Sequence, residues 1–184
     1  MVRHANPEFT SLRIAVMTVS DRRTLETDTA GQWLVERLGE AGHILADRQL
    51  ARDDIYQLRA VASRWIADPT VQVVLINGGT GFTAGDNTPR AIFPLLDKVM
   101  DGFGELFRQL SYAEIGTAAL QSRALAGFAN GTLVCCMPGS PNACRTAWDH
   151  ILKEQLDSRT GPCNAVAHLK PGATGAGACC GSRT

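Results

Sequence analysis

Residues 71 to 81 read VQVVLINGGTG, a nearly all-apolar run that breaks into a glycine-rich loop. The run from Val71 to Ile76 lacks the alternation of a half-exposed strand and suits a central parallel strand covered on both faces. In the loop from Asn77 to Asn87, Gly78, Gly79, Gly81 and Gly85 let the backbone turn sharply and bring its N–H groups close to an anion. Thr88-Pro89 then predicts an N-cap with proline at the first helical position, opening a helix toward Leu96. A strand, a glycine loop and a helix in that order restrict the chain to an α/β architecture with a binding loop at a strand's carboxyl end.

The segments on either side repeat that alternation. Ile14 to Val19 is an apolar run that stops at Ser20-Asp21, and Ala30, Leu34, Val35, Leu38 and Ala41 recur at helical spacing behind Asp28 or Thr29, with Gly42 as the stop. Ile44 to Leu50 predicts a second strand, followed by Asp53 and Asp54 at an N-cap position and a helix that ends at Asp68-Pro69. A further helix is expected from about Phe103 to Ala113. Asn130-Gly131 between two apolar runs, 124–129 and 132–137, is a hairpin turn, so the sheet is mixed. A last amphipathic helix is expected over 141–156, and beyond Lys170 the segment PGATGAGACCGSRT has no large apolar residue and is expected to be disordered.

Composition narrows the function class. Across 184 residues, 18 Lys+Arg offset 18 Asp+Glu, so no net field draws in a polyanion and neither a nucleic-acid nor a membrane partner is expected. Hydrophobic residues at 45% are enough for one buried core. The first thirteen residues have no apolar signal core and the longest uncharged stretch is interrupted by Pro138 and Pro141, which points to the cytoplasm. Without a secretory signal, Asn130-Gly131-Thr132 reads as a turn rather than a glycosylation site. All six cysteines lie after residue 134 with no Cys-x-x-Cys pair, so reduced thiols are expected, not a disulfide frame or a zinc site.

The loops carry the chemistry. Ser20-Asp21 follows the first strand, Asp53 the second, the glycine loop the third, and Met137-Pro138-Gly139-Ser140 the last. If these strands are neighbours, all four segments meet along one sheet edge. Backbone donors, hydroxyls at Ser20, Thr80, Thr88 and Ser140, and carboxylates at Asp53 and Asp86 suit a phosphorylated ligand with a divalent cation, since Mg²⁺ needs only one or two carboxylates besides phosphate oxygens. Such a site favours phosphoryl or nucleotidyl transfer by positioning and charge neutralisation. Asp53 could instead be a helix cap, and Asp86 a turn residue without metal contact. A Walker loop is excluded because the loop has no lysine. A dinucleotide fingerprint is rejected because Asp86 and Pro89 delay the helix.

The blocks VMTVSDRRT, VVLINGGTGFTAGDNTPRA, DGFGELFRQLSYAEIGTAALQSRALAG and CMPGSPNACRTAW occur in the order found in molybdenum cofactor biosynthesis proteins of the MoaB/MogA type, which the chain resembles over residues 12–168. The third and fourth blocks resemble the protein B branch more than the adenylyltransferase branch. The resemblance implies a three-layer α/β/α sandwich with a mostly parallel sheet carrying an antiparallel hairpin. It divides the chain into an N-terminal arm (1–11), a molybdopterin-binding domain (12–168) and a Gly/Ala/Cys tail (169–184). It further implies a homotrimer or homohexamer working with other enzymes of the molybdenum cofactor pathway.

The ligand so implied is molybdopterin, whose terminal phosphate the catalytic branch adenylylates with ATP and Mg²⁺, releasing pyrophosphate. The family's catalytic aspartates correspond to Asp53 and Asp86, the latter also the metal ligand, and its molybdopterin-binding motif to Gly78, Gly79, Thr80 and Gly81. Ser20, Asp21, Thr88, Pro138, Gly139 and Ser140 complete the expected substrate site. The chain departs from the family at Gly85 and Arg90, where Arg and Glu are common around Asp-x-Thr-Pro. Loss of that arginine removes a phosphate-binding fork and favours, as the alternative, a noncatalytic carrier of molybdopterin or a purine nucleotide. A third possibility, an assembly module with a vestigial site, fits poorly with the small size and lack of linkers.

Overall fold

Strand β1 (Arg13–Val19) is apolar along nearly its whole length and six of its seven residues are buried, because helices cover both faces of the sheet at this position. The structure, a computed structural model, describes residues 8–171. After β1 the chain forms α1 (Thr29–Glu40), β2 (Ile44–Ala51), α2 (Ile55–Ala67), β3 (Val73–Asn77), α3 (Thr88–Ile92), β4 (Lys98–Val99), α4 (Asp101–Ile115), β5 (Leu125–Ala129), β6 (Thr132–Met137) and α5 (Pro141–Ala147). A wide π turn (Trp148–Leu152) and the short α6 (Lys153–Gln155) follow, where a single α-helix is expected from the apolar spacing.

The six strands lie in the order β2-β1-β3-β6-β5-β4. β2, β1, β3 and β6 run parallel, and β5 is antiparallel to both β6 and β4. Alternate strand residues feed two cores. Ile14, Val16, Val73, Leu75, Leu133 and Cys135 pack with Leu34 and Leu38 of α1, Phe103 and Phe107 of α4, and Cys144 and Ala147 of α5. Ala15, Met17, Val74, Ile76, Val134 and Cys136 pack with Leu58, Ala62 and Trp65 of α2 and Ala91 and Ile92 of α3. This is the three-layer, mostly parallel arrangement expected.

From β1 the chain crosses to β2 on one side and then returns past β1 to β3 on the other, which opens a crevice at the carboxyl ends of β1 and β3. The Asn130-Gly131 turn has φ of 49° and 70°, as a tight hairpin between twisted strands requires. Strand β4 carries no sequence signal, since two exposed residues show no periodicity.

Two alternatives that the sequence leaves open are resolved, and one expectation changes. Asp28, not Thr29, caps α1, its Oδ1 accepting the Gly31 N–H at 2.9 Å. Asp54 caps α2, accepting from the amides of Tyr56 and Gln57, so Asp53 is not the cap; two adjacent aspartates had left that open. Thr88 is the first residue of α3 rather than its N-cap, which is Asn87, and α3 stops at Ile92, passing into a 3₁₀ turn at Phe93–Leu95. Cys135, Cys136 and Cys144 are buried free thiols and Cys163 an exposed one, while Cys179, Cys180 and the tail from 172 onward lie outside the described residues. Leu169 packs on the first core, and the Lys170 N–H donates to the Gly131 carbonyl at 2.8 Å.

Candidate functional site

Gly78 and Gly79 place the glycine loop. Both have positive φ, 101° and 63°, a region that costs an L side chain about 1–2 kcal/mol. A Cβ on Gly78 would strike the Val19 carbonyl, and one on Gly79 would lie 2.5 Å from Thr88 Oγ1 and 2.6 Å from Asp53 Oδ2. The Gly78 N–H donates to the Met137 carbonyl at 2.9 Å, and a Cβ on Gly139 would come within 3.0 Å of Gly78 Cα, so the loops after β3 and β6 meet in backbone contact. The Ser20 N–H donates to the Ala51 carbonyl at 2.9 Å and joins the ends of β1 and β2.

The buried Thr88 hydroxyl donates to the Gly78 carbonyl at 2.7 Å and its N–H to the Gly79 carbonyl at 3.0 Å, which folds the loop back onto α3. Thr88 is therefore a brace for the loop. Ser20 Oγ accepts the N–H groups of Arg22 and Arg23, each at 3.2 Å, and Ser140 Oγ accepts the Ala143 N–H at 3.1 Å as the N-cap of α5.

Three aspartates come together. Asp21 Oδ1 accepts the Asp53 N–H at 3.2 Å, and Asp53 Oδ1 accepts the N–H of Asn87, the neighbour of Asp86, at 2.9 Å. Asp86 Oδ2 accepts the Thr83 N–H at 2.8 Å and the Thr83 hydroxyl at 2.6 Å. Burial raises the Asp53 pKa, the Asn87 hydrogen bonds oppose that, and the charges of Asp86 and Asp21 add to the rise. At Asp86 burial also acts upward but is outweighed by hydrogen bonds from Thr83 and Gly81 and by the Arg123 charge, so its pKa is lowered and the carboxylate stays ionised.

This donor set suits a hard divalent ion held partly by ligand oxygens. Among the described residues no three His, Cys, Asp or Glu side chains gather closely enough to hold an ion unaided. Two carboxylates suffice for Mg²⁺ when phosphate oxygens and water complete its shell.

Two positioning groups have no counterpart in the sequence reading. Arg123, at the end of the third block, donates from Nη2 to the Asp86 carbonyl at 2.6 Å and from its N–H to the Thr80 carbonyl at 3.0 Å, with its guanidinium 5.1 Å from the Phe82 ring centre. It returns a guanidinium to the loop whose own basic position is Gly85. Below the loop, the fully buried Asn77 donates to Thr18 Oγ1 at 2.9 Å, Thr18 donates to Asp28 at 2.7 Å, and Arg48 pairs with Asp28 at 3.0 Å. Asp28 thus links α1, β1 and β2 as well as capping a helix.

Thr80, Gly81, Pro138 and Ser140 open onto a cavity of about 310 Å³ between this edge and the C-terminal turn of α4. A Cβ on Gly81 would lie 2.7 Å from Asp86 Oδ2, so Gly81 touches both the cavity and the carboxylates. A larger depression of about 570 Å³ lies against edge strand β4 at Lys98, Val99 and Phe128, and none of the expected site residues lines it. The carboxyl edge of the sheet is therefore the candidate site. Among the described residues no helix is long and apolar enough to cross a membrane.

Comparison with known proteins identifies the family. Residues 15–158 match a family model described as "Probable molybdopterin binding domain". The chain is 55% identical over 163 residues to molybdenum cofactor biosynthesis protein B of Escherichia coli K12, covering 89% of this chain and 96% of the relative. A crystal structure of a molybdenum cofactor biosynthesis protein B superposes with a TM-score of 0.78 at 42% identity, covering 80% of this chain and 92% of the other. The tungsten cofactor synthesizing protein MoaB from Pyrococcus furiosus superposes with a TM-score of 0.71 at 33% identity, covering 78% and 92%.

Proposed function

The chain belongs to the molybdopterin-binding domain family of molybdenum cofactor biosynthesis proteins, and from that premise we propose that it binds molybdopterin and adenylylates its terminal phosphate with Mg-ATP. The coarser role is molybdenum cofactor biosynthesis. The observation that carries the finer reading is the meeting of Asp21, Asp53 and Asp86 with the Gly78–Gly81 loop and the Pro138–Ser140 turn at one sheet edge.

In this reading the backbone of Gly78, Gly79, Thr80 and Gly81 grips pterin and phosphate, while Pro138, Gly139 and Ser140 flank them beside the start of α5. Ser20 and Asp21 close the opposite side of the crevice. Asp86 would hold Mg²⁺ and Asp53 would help place metal or nucleotide. The ion, when bound, would supply neutralisation of phosphate charge. A terminal phosphate oxygen of molybdopterin forms a bond to the α-phosphorus of ATP, the bond to the bridging oxygen breaks, and pyrophosphate leaves. The protein contributes position and electrostatics, not a covalent nucleophile.

The test is incubation of purified protein with molybdopterin, ATP and Mg²⁺. Adenylylated pterin and stoichiometric pyrophosphate are expected. The second reading, a noncatalytic carrier, draws support from Gly85, which leaves no arginine immediately before Asp86, and from Arg90, which puts a positive charge where a glutamate is common. Tight pterin binding with no product and no Mg²⁺-dependent ATP binding would establish it. In either case we propose a homotrimer or homohexamer that hands its ligand to partner enzymes of the pathway, and sedimentation separates the two assemblies.

A further inference from the structure

The 310 Å³ cavity beside Gly81 and Ser140 is lined by one charged side chain among the described residues, Glu114 in the last turn of α4. Its carboxylate is tethered at both oxygens. Asn142 Nδ2 donates to Oε2 at 2.7 Å, and the Thr146 hydroxyl lies 2.9 Å from Oε1, its single proton shared with the Asn142 carbonyl at 3.0 Å. Asn142 and Thr146 are four residues apart on α5, so their side chains share one face and meet the carboxylate together. An exposed glutamate at a helix end is ordinarily a mobile, solvated group. This one is held across two helices at the wall of a cavity.

A carboxylate has about four lone-pair directions, and one on each oxygen is engaged here. The remaining pair can accept two parallel N–H groups, the geometry by which carboxylates bind guanidinium forks. A 2-amino-4-oxo heterocycle presents that pair, since its amino N–H and the neighbouring ring N–H lie side by side in one plane. Adenine places a ring acceptor next to its amino group and would set a lone pair against the carboxylate. Phe107 and Ala143 give the cavity apolar walls for a flat ring, and Thr80 and Gly81 connect it to the phosphate side of the site.

We propose that Glu114, positioned by Asn142 and Thr146, selects the ligand by reading the amino–imino edge of a pterin ring seated in this cavity. The inference rests on the molybdopterin reading of the site and names a specificity residue for it. Pterin and guanine share the recognised edge; the adenine of ATP is not read by Glu114.

The test titrates the full-length protein with 6-hydroxymethylpterin, with lumazine, in which a carbonyl replaces the 2-amino group, and with guanosine, following ligand fluorescence or calorimetry. Wild type is expected to bind the pterin about tenfold or more tightly than lumazine, and guanosine, which presents the same edge, is expected to lose affinity in parallel with the pterin when Glu114 is replaced. Glu114→Gln keeps an acceptor for Thr146 but turns an NH₂ toward the pterin donors. It is expected to lose that discrimination against lumazine, with an unchanged melting temperature. Equal pterin affinity in both proteins, no preference over lumazine, or a guanosine affinity untouched by the substitution would overturn the assignment while molybdopterin binding persists. Failure of wild type to bind molybdopterin itself would instead remove the site reading, and this inference with it.

Discussion

Asp53 and Asn87 are joined twice: Asp53 Oδ1 accepts the Asn87 main-chain N–H at 2.9 Å, and the Asn87 side-chain amide donates to the Asp53 carbonyl at 3.2 Å. Residues 34 positions apart are thereby locked, and Asp86, adjacent to Asn87, is set relative to Asp53 by a backbone step. The two aspartates differ in environment. Burial pushes Asp53 upward, while hydrogen bonds from Thr83 and Gly81 and the Arg123 charge hold Asp86 down against burial. Asp86 therefore stays ionised to lower pH than Asp53, which suits it to the cation.

Asp86→Asn is therefore expected to cut adenylylation at least about 100-fold, the order found when one charge-stabilising group is removed from a transition state. The amide oxygen can still accept from Thr83, so circular dichroism and oligomer size should not change. Pyrophosphate release measures the loss, and full activity in the variant would remove Asp86 from the mechanism.

Arg123→Lys tests the brace on the glycine loop. A lysine has one ammonium and cannot reproduce a guanidinium that donates to the Asp86 carbonyl while stacking on Phe82. The expected stability loss is about 1 kcal/mol, with molybdopterin affinity reduced roughly tenfold. An unchanged affinity with lowered stability would make Arg123 purely structural.

Gly79→Ala should fail for a different reason. Besides the positive φ, the added methyl meets Thr88 Oγ1 at 2.5 Å and Asp53 Oδ2 at 2.6 Å, so the loop must shift away from α3. Destabilisation of about 1–3 kcal/mol is expected, read by denaturant titration, together with loss of molybdopterin binding. By contrast, a Cβ on Gly85 meets nothing within 4 Å, and Gly85→Ala should be nearly silent.

Much of the fold and of the site is legible in the sequence. The apolar run into Gly78 placed the central strand, and strand order made Ser20, Asp53, Gly78 and Ser140 neighbours, because parallel strands carry their carboxyl ends to one edge. What stayed hidden was held by long-range contact or by choice between equals. Adjacent Asp53 and Asp54 offer two caps, and only the Tyr56 and Gln57 amides on Asp54 show that Asp53 is free of that duty, its carboxylate bonded instead to Asn87. Arg123 lies 37 residues from Asp86 with no periodicity to connect them. Glu114 ends an amphipathic helix, where a glutamate signals nothing until Asn142 and Thr146 are seen against it.

His43 makes stability depend on pH. The ring is buried against Phe9, its Nδ1 accepts the Leu12 N–H at 3.3 Å, and burial lowers its pKa from 6.5 to about 4, with nearby Asp157 pulling weakly the other way. The unfolded chain binds this proton first, so the stabilising contribution is complete above pH 6.5 and is lost as pH falls toward 4. The loss is of the order of 3 kcal/mol. Denaturant midpoints measured across that window should fall with acidity, and His43→Gln, with a neutral acceptor at every pH, should flatten the curve.

Asp53→Asn separates function from stability most sharply. The raised pKa of Asp53 means that ionising it in the folded protein is costly, from burial first and then from repulsion by Asp86 and Asp21. Stability linked to this group is present when it is protonated, at low pH, and is lost as pH rises through its folded pKa. A neutral asparagine keeps an oxygen for the Asn87 N–H and removes the charge. At pH 7 the variant should therefore be more stable than wild type, read as a raised melting temperature, with solvent screening keeping the gain small. That gain should vanish in acid, where wild-type Asp53 is itself neutral. Adenylylation should drop by about 100-fold in the same protein. A variant both destabilised and fully active would mean that the Asp53 carboxylate serves packing, whereas the opposite pair of changes marks a group kept ionised at a cost to the fold because the ligand needs it.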